Sequence, residues 1–462
     1  MNKLTSRQRK LAYAGGIIGL LIPIILLGAP TSGVEPGQKT IKNGGMLAAM
    51  RVKYDLGEST LGDIDPSSAA LNLVLLGLRG PAAGVLHLKA IDYQEKKDWA
   101  KLKTTVDSII KLQPHYDEIW KFQGWNLAFN VSREWDRVAD RFYWVKDGIK
   151  FLVQGTRRNQ SSTILFYNVG DFTGRKFGNS DEKRFFRKFF VDDPDDERWG
   201  ENNSDTELNP EGIDNYLVAN DWFRRTNEKD DSYRIKGMTH VFARQGPARS
   251  LLDYASAIQD DGKFGEENRI AWDKAYKEWT DVYGNDIFLG INDLRYKLNC
   301  TTEDIEAMAL ENGVTPQVQQ QVWNQNVKMT NFNFWRDFAD CERDPLTVSA
   351  HKAIYDGKVA YAKGETSDSE GADGQLMPSK SEELFFNGMT EMKKVFDKYP
   401  QLSWHDAYVE EALLAIHYWQ EIHKFNLKKI PEDYPLKSLF LANIERMPDI
   451  ERLKKIESRT IF

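Results

Sequence analysis

The stretch from Ala83 to Trp120 constrains the fold more than any other part of this sequence. It holds two blocks of apolar residues that recur every three or four positions, the spacing of one face of an α-helix. A polar turn, KKD at 96–98, separates the blocks, and Pro114 ends the second because proline lacks the amide hydrogen of an interior helical turn. Trp120 then begins a new helical pattern. This order is typical of tetratricopeptide repeats, so it predicts one helical hairpin with another stacked on it.

Helical periodicity continues through most of the chain. The insertion VSREWDRVAD, at 131–140, stretches the second hairpin. From residue 213 onward apolar stripes at helical spacing return, and TTEDIEAM at 301–308 has the residues of a capping box. No region is rich in strand patterns. The sequence therefore predicts an all-α fold, a tetratricopeptide-like helical hairpin array that follows one N-terminal transmembrane helix.

The N-terminal segment is the basis for that transmembrane helix. Residues 1–10 carry four basic side chains and no acidic one, and residues 11–29 carry no charge. About 20 apolar residues span the core of a bilayer, and a basic flank stays in the cytoplasm. We therefore expect a single pass through the inner membrane, with the folded body on the extracytoplasmic side. A cleaved signal peptide is the alternative, and the sequence leaves it open.

Shifts in composition divide the rest of the chain into regions. Residues 30–60 are rich in glycine and proline, as expected of a tether, and residues 191–207 hold eight acidic side chains and one basic side chain. The predicted regions are a basic cytoplasmic tail (1–10), the transmembrane helix (11–29), a tether (30–60), a tetratricopeptide-like helical region (61–190), an acidic loop (191–212), a second helical region (213–364), a flexible loop (365–381) and a C-terminal helical region (382–462).

Charge and motif content argue against several functional classes. The chain has 462 residues with 62 Lys and Arg against 69 Asp and Glu, a net charge of −7. Nucleic-acid binding needs clustered cations, so we expect no nucleic-acid partner. The sequence has no phosphate-binding glycine loop, no zinc-protease motif and no nucleophile elbow, and its seven histidines are scattered. We therefore predict no cofactor, no metal ion and no catalytic residue.

The chain has two cysteines, Cys300 and Cys341. An exported body would enter a compartment that permits a disulfide, but two cysteines can bond only within a short distance of each other. Two free, buried thiols are about equally expected, and the sequence leaves the pairing open.

Several long stretches resemble one known group of proteins. They are LGDIDPSSAALNLVLLGLRGPAAGVLHLKAIDYQEKKDW at 61–99, IIKLQPHYDEIWKFQGWNLAFNVSREWDRVADRFYWVKDGIKFL at 109–152 and YASAIQDDGKFGEENRIAWDKAYKEW at 254–279. In these stretches the chain resembles an uncharacterised family of planctomycete bacterial proteins with one N-terminal membrane segment. The resemblance covers most of the chain and implies a bacterial membrane protein, but it implies no particular activity.

Helical-repeat arrays bind peptides or proteins on their concave faces, which gives the leading functional hypothesis. We expect a membrane-anchored scaffold or assembly factor of the cell envelope that binds envelope proteins or peptides. The candidate binding residues are Tyr93, Trp99, Trp120 and Trp125.

Two other hypotheses stay open. An envelope hydrolase acting on sugar or peptide polymers would need two carboxylates in one cleft, roughly 5–10 Å apart. A solute-binding body would need a deep apolar cavity, which the abundant aromatic residues could line. The candidate carboxylates for the hydrolase are Asp63, Asp65, Asp171 and Glu410.

Overall fold

The computed structural model describes residues 79–194, 203–229, 239–370 and 375–457, with a few isolated positions between 10 and 19. These ranges are helical apart from connections and two short β-hairpins, so the predicted all-α class is confirmed. Within them, no helix is long and apolar enough to cross a membrane. The predicted transmembrane helix (11–29), apart from four isolated positions, and the tether (30–60) lie outside the described residues.

The chain divides into two compact units, residues 1–172 and 173–462. This boundary lies inside the region that the sequence assigned to tetratricopeptide-like hairpins. In the first unit, a π-helical turn (Asn126–Asn130) and a 3₁₀ turn (Val131–Glu134) follow the third described helix. The described helices of this unit are α1 (Arg79–Glu95), α2 (Trp99–Leu112), α3 (Asp117–Trp125), α4 (Val138–Arg158) and α5 (Thr163–Asp171).

Local sequence explains the turn between α1 and α2. Asp98 caps α2, because its carboxylate accepts a hydrogen bond from the amide of Lys101 (3.2 Å). α2 then ends just before Pro114. The two helices pack against each other across the connection at 96–98, which makes them a helical hairpin. The stripe that α2 buries is Leu102, Val106, Ile109 and Leu112.

The turn that follows α2 recurs after α4. Gln113 and Asn159 end the two helices with similar backbone angles, φ −139° and ψ 75° against φ −130° and ψ 66°. The two turns also touch, because the Asn159 amide donates to the carbonyl of Pro114 (3.1 Å) and the Ser162 hydroxyl donates to Asp117 (2.6 Å). The end of α2 is therefore joined directly to the end of α4.

α3 and α4 cross where two glycines face each other. A Cβ added at Gly148 would lie 2.7 Å from the carbonyl oxygen of Gly124 and 2.8 Å from the amide nitrogen of Ala128. Backbone atoms cannot move aside as a flexible side chain can, so this close approach requires glycine. Farther along α4, a Cβ added at Gly155 would lie 3.1 Å from the side chain of Trp120, a tight contact with a ring.

The second unit is a larger helical body with two short antiparallel hairpins. β1 (Phe288–Leu289) pairs with β2 (Arg295–Tyr296), and β3 (Ser369–Glu370) pairs with β4 (Leu376–Met377) within the predicted flexible loop 365–381. Its described helices are α6 (Lys183–Val191), α7 (Asn215–Lys229), α8 (His240–Arg244), α9 (Gly246–Asp260), α10 (Glu266–Lys277), α11 (Thr302–Glu311), α12 (Pro316–Thr330), α13 (Phe332–Glu342), α14 (Pro345–Ala362), α15 (Lys380–Lys398), α16 (Asp406–Phe425), α17 (Lys437–Ala442) and α18 (Met447–Glu457).

Side-chain caps set where several of these helices begin. Thr301 and Asp304 form the predicted capping box at α11. Thr315 and Asp344 cap α12 and α14, each just before a proline in the first helical turn, and Ser379 caps α15. These signals act over one turn, so they fix helix starts without fixing how the helices pack.

One side chain ties the predicted acidic loop (191–212) to its neighbours. The Asn209 amide donates to the carbonyls of Phe190 (2.9 Å) and Ile213 (2.8 Å), and its oxygen accepts from the Ile213 amide. Residues 203–212 are thereby held against the end of α6. Residues 195–202 of the loop lie outside the described part of the chain.

Two hydrophobic clusters stabilise the second unit. One surrounds Trp272 and Trp279, with side chains from α9, α10 and α13. The other surrounds Phe385 and Trp419, with side chains from α14, α15 and α16. Each fully buried side chain of this kind contributes roughly 1.5–3 kcal/mol. Phe338 of α13 packs against both clusters, so α13 is where they meet.

Candidate functional site

The four residues predicted to bind partners lie in the first unit and differ in exposure. Tyr93 and Trp99 are half-buried, Trp120 is 4% exposed, and Trp125 is 48% exposed. The indole N–H of Trp120 donates to the carbonyl of Pro114 (2.9 Å), so this ring packs inside the turn after α2. No ring contact joins any two of these four described residues. Of the four, Trp125 offers the largest exposed fraction to a partner.

Trp125 is the exposed member of an aromatic group, here the Trp125 cluster, that also contains Phe129 and Phe172. Its ring stacks on Phe129 with centroids 3.9 Å apart and planes at 10°. Phe172, which is buried, meets both rings edge-on at 5.9 and 5.1 Å. Aromatic pairs of this geometry contribute roughly 0.5–1.5 kcal/mol each beyond their burial. The contacts with Phe129 and Phe172 therefore hold the exposed indole in a fixed orientation.

A widened helical turn accompanies this cluster. α3 ends at Trp125, and the chain continues as π-helix from Asn126 to Asn130. Within the turn, the Asn130 side chain donates to the buried Asn126 (2.7 Å). π-helical turns occur frequently at functional sites. The spacing of Trp125 and Phe129, four residues apart on one helix face, was the sequence signal that could have revealed the stack.

A second exposed tryptophan lies in the first unit and was not among the predicted residues. Trp135 is 43% exposed, and its ring lies 6.1 Å from that of Trp144 on α4, with planes at 26°. Trp135 belongs to the insertion 131–140, which the sequence interpretation treated as a departure from the repeat. The insertion therefore adds aromatic surface as well as length.

The second unit buries a histidine between two carboxylates, here the Glu342 network. His351 Nδ1 lies 2.7 Å from Glu411 Oε2, and its Nε2 lies 3.4 Å from Glu342 Oε1, an ion-pair distance without hydrogen-bond geometry. Tyr408 and Gln259 donate to the two oxygens of Glu342 at 2.6 and 2.9 Å. Glu342 is 2% exposed and His351 is 9% exposed. The network joins α9, α13, α14 and α16.

Charge outweighs burial in setting the protonation of this network. Burial acts to lower the pKa of His351, but Glu411 and Glu342 raise it well above its usual value. Burial acts to raise the pKa of Glu342, but the charge of His351 and the hydrogen bonds from Gln259 and Tyr408 hold it below its usual value. We therefore assign a protonated His351 and an ionised Glu342 at neutral pH.

The cysteine beside this network is poorly suited to be a nucleophile. The sulfur of Cys341 lies 3.4 Å from the Thr347 hydroxyl and 3.5 Å from that of Tyr408. Burial raises the pKa of the Cys341 thiol to about 12, so the reactive thiolate is scarce at neutral pH. Cys300 and Cys341 are both free thiols, which resolves the pairing that the sequence left open.

The carboxylates named for a hydrolase do not form a described pair. Asp63 and Asp65 lie outside the described residues, and Asp171 and Glu410 belong to different units. Glu410 is bound by Arg446 at 2.8 Å. Among the described residues, no group of three His, Cys, Asp or Glu side chains is placed to hold a metal ion.

A small polar cavity, here the Arg187 cavity, lies between α6 and α9 in the second unit. Its volume is about 100 Å³. Arg187 is 8% exposed and reaches Asp214 at 2.7 Å and Asp261 at 2.8 Å. The solute-binding hypothesis requires a deep apolar cavity, whereas the Arg187 cavity is small and has a charged lining. The lining residues are Gly178, Asn179, Lys183, Arg184, Arg187, Tyr216, Asp253, Ser256, Ala257, Asp260 and Asp261.

Comparison with known proteins assigns the chain to no group. No family model matches it, and searches of curated proteins and of solved structures find no match. The described residues offer at least three places for a function: the Trp125 cluster, the Glu342 network and the Arg187 cavity.

Proposed function

We propose that this protein is a membrane-anchored helical-repeat scaffold or assembly factor of the cell envelope, and that its first unit binds protein partners. The observation that carries the proposal is the Trp125 cluster. Tryptophan is enriched among residues that dominate binding energy at protein interfaces, and a rigid exposed ring loses little entropy on binding. Trp125 is 48% exposed while two phenylalanine rings hold it in place.

The proposal includes a tetratricopeptide-like arrangement of the first unit. Two observations support it: the hairpin of α1 and α2, and the recurrence of the Gln113 turn at Asn159. The two turns are 46 residues apart, longer than the 34 residues of a regular repeat. The longer α4, 21 residues against 14 for α2, and the insertion before it account for the difference.

The membrane anchor is proposed from the sequence. Residues 11–29 carry no charge and follow a basic tail, which favours one pass with the body on the extracytoplasmic side. An anchored body of this kind can meet envelope proteins by lateral diffusion, which suits a scaffold.

Site-specific photo-crosslinking in cells tests the binding surface. We would place benzoylphenylalanine at position 125 of the full chain and, as matched control, at Trp404 of the second unit, which is 90% exposed. If the Trp125 cluster is a docking surface, irradiation gives discrete adducts from position 125 and none of the same mass from position 404. A third probe at position 135 should capture the same partner if both tryptophans serve one surface.

Two results would count against the proposal. One is the absence of any adduct at 125 and 135 although the protein is produced at normal levels. The other is a set of adducts shared equally with position 404, which would reflect non-specific apolar contact. In either case the scaffold function loses its supporting observation.

A further inference from the structure

We infer that the turn after α16 inserts into the surface of a phospholipid bilayer, together with β4 beside it. This surface, here the Leu427 tip, consists of Phe425, Leu427 and Ile430 at and after the end of α16, and of Leu376 and Met377 in β4. The inference rests on the proposed membrane anchor and adds a second membrane contact, which belongs to the second unit.

The apolar side chains of the Leu427 tip are exposed to an unusual degree. Leu427 is 94% exposed and Leu376 is 74% exposed, and the other three members are between 37% and 64% exposed. Single exposed apolar side chains are ordinary on a protein surface, but a group of them marks a place where the protein binds something.

Hydrogen bonds bring the two parts of the tip together. The side-chain amide of Asn426 donates to the carbonyl of Thr366 (2.8 Å), and its oxygen accepts from the backbone amide of Asp368 (3.4 Å). Asp368 directly precedes β3, whose Ser369 pairs with Met377 of β4. The turn after α16 and the strand β4 therefore form one stretch of surface, although about 50 positions separate them in the chain.

The residue that follows Leu427 fixes the turn from the protein side. Lys428 Nζ lies 2.7 Å from Asp368 and 2.7 Å from Glu382, and these carboxylates are 8% and 11% exposed. The lysine is thus directed into the protein, while the leucine beside it is left in the solvent. A turn held in this way presents Leu427 in a defined position.

The backbone at Leu427 is unfavourable for leucine. α16 ends in a Schellman motif, in which the amide of Lys428 donates to the carbonyl of His423 (2.9 Å) and that of Leu427 to Lys424 (3.2 Å). The motif places Leu427 in the left-handed region, with φ 56°, where glycine is the usual residue. Strained positions of this kind cluster at functional sites. Since the leucine side chain has little contact with the described part of the protein, we assign its role to a contact outside the chain.

The shape of the tip favours a bilayer over a protein as the ligand. A side chain that is 94% exposed projects from the surface, so a protein partner would need a pocket to enclose it. The acyl region of a bilayer is fluid and accepts such a side chain without a shaped pocket. Lys424 and Lys429 are exposed on either side of Leu427, and neither forms an ion pair with a described residue. Their ammonium groups can bind lipid phosphates while their methylene chains lie along the apolar region.

Charge contributes less to this contact than the apolar side chains. Exposed carboxylates are close to the tip in the sequence, Glu370 in β3 and Glu432 and Asp433 after Ile430. They offset the charge of the two lysines, so we expect burial of the apolar side chains to supply most of the affinity.

The proposed anchor keeps a bilayer within reach of the tip. Residues 30–78 separate the anchor from α1, and an extended chain spans roughly 3.3–3.6 Å per residue, so the tether cannot exceed about 160–180 Å. A surface that is tethered near its ligand meets it at a high effective concentration. Even a weak insertion tip would therefore be occupied.

Photo-crosslinking of the full chain in vesicles tests the inference. The protein is reconstituted in vesicles of phosphatidylethanolamine and phosphatidylglycerol, with benzoylphenylalanine in place of Phe425. The matched control has the probe at Leu310, which also belongs to the second unit and is 84% exposed. We expect irradiation to attach lipid to the protein at position 425, detected by mass, and to attach far less at position 310.

Leu427→Gly separates insertion from folding. Glycine suits the left-handed turn, so the unfolding temperature of this variant should be equal or higher. The lipid adduct at position 425 should fall roughly tenfold, because burying one leucine side chain favours the inserted state by at least about that factor.

Three results would overturn the inference. They are equal lipid labelling at positions 425 and 310, unchanged labelling in Leu427→Gly, and a protein adduct at 425 in place of lipid, which would make the tip a docking surface for a protein or a second copy. Failure of the anchor is distinguishable from failure of the tip. Without an anchor, alkaline carbonate washes the protein from cell membranes, whereas without a functional tip the protein stays in the membrane and gives no lipid adduct at 425.

Discussion

Two helix crossings, one in each unit, are held together by different means. In the first unit, α3 and α4 approach because Gly124 and Gly148 carry no side chain. In the second unit, α13, α14 and α16 meet through the charged groups of Glu342, His351 and Glu411. The crossing of α3 and α4 depends on the absence of side-chain atoms, and the crossing of α13, α14 and α16 depends on opposite charges.

Because of this difference, the two crossings should respond differently to substitutions and to pH. The glycine contact itself contains no titrating group, so it should be sensitive to any added methyl group and less sensitive to pH than the ionic crossing. A buried ionic crossing keeps its stability only over the pH range in which its groups carry opposite charges. It is also destabilised when one partner is removed, because the remaining groups stay buried and unpaired.

The largest effect is expected from Glu342→Ala. Removing this carboxylate leaves His351, Gln259 and Tyr408 without their shared partner in a buried site, which should cost about 3–5 kcal/mol of unfolding free energy. Hydrogen exchange measured by mass spectrometry should show the loss in α13, α14 and α16, with the first unit unchanged.

Glu410→Ala is the matched control for that variant. Glu410 lies on α16, one of the helices that the Glu342 network joins, and pairs with Arg446 at 2.8 Å, but its side chain is 39% exposed. Exposed pairs of this kind contribute about 0–1 kcal/mol. Equal losses in the two variants would mean that burial of the Glu342 network has no energetic consequence.

The next effect is expected from Gly148→Ala in the first unit. The added methyl group would meet the backbone of Gly124 and Ala128, and overpacking of this kind costs about 1–3 kcal/mol. Gly84→Ala, in α1 with nothing near its Cβ position, should instead stabilise the helix by roughly 0.5–1 kcal/mol. Urea unfolding followed by hydrogen exchange of α3 and α4 measures both, and a tolerated Gly148→Ala would contradict the close crossing.

A smaller, graded effect is expected from pH in the second unit. The pKa of His351 is raised in the folded state, so its contribution to stability is complete below the unfolded value near 6.5 and is lost as pH rises toward the folded pKa. The pKa of Glu342 is lowered, so its contribution is lost only as pH falls below about 4.5 toward the folded pKa. Exchange protection of α14 should therefore decline above about pH 6.5.

One variant and the first unit serve as controls for the effect of pH. His351→Gln should flatten the decline, because the titrating group is gone. The crossing of α3 and α4 should keep its protection over the same pH range. A decline of equal size in both units would instead point to general charge repulsion across the protein.

The smallest effect on stability is expected from Trp125→Ala. Because about half of the ring stays in water, its stack on Phe129 and its edge contact with Phe172 should together contribute only about 0.5–1.5 kcal/mol. Trp120→Ala, which removes a buried ring of the same size, should cost about 3–5 kcal/mol. Denaturant unfolding compares the two, and a Trp125→Ala variant as unstable as Trp120→Ala would make Trp125 a core residue instead of a docking one.

The features that could be predicted from the order of residues act within one helix and its turns. The all-α class, the hairpin around 96–98, the end of α2 before Pro114 and the capping box of Thr301 all follow from contacts a few residues long. Such contacts repeat with the helical period, so they can be recognised in the order of residues alone.

Which side chains meet across helices depends on how the helices pack in three dimensions. His351 joins Glu411 from 60 positions away, and Tyr408 reaches Glu342 from 66. The angle and distance between packed helices determine such meetings, and the period of a single helix carries neither. For the same reason the sequence pattern could not tell buried aromatic residues from exposed ones. Of the four that were predicted to bind partners, Trp120 is buried and Trp125 is exposed.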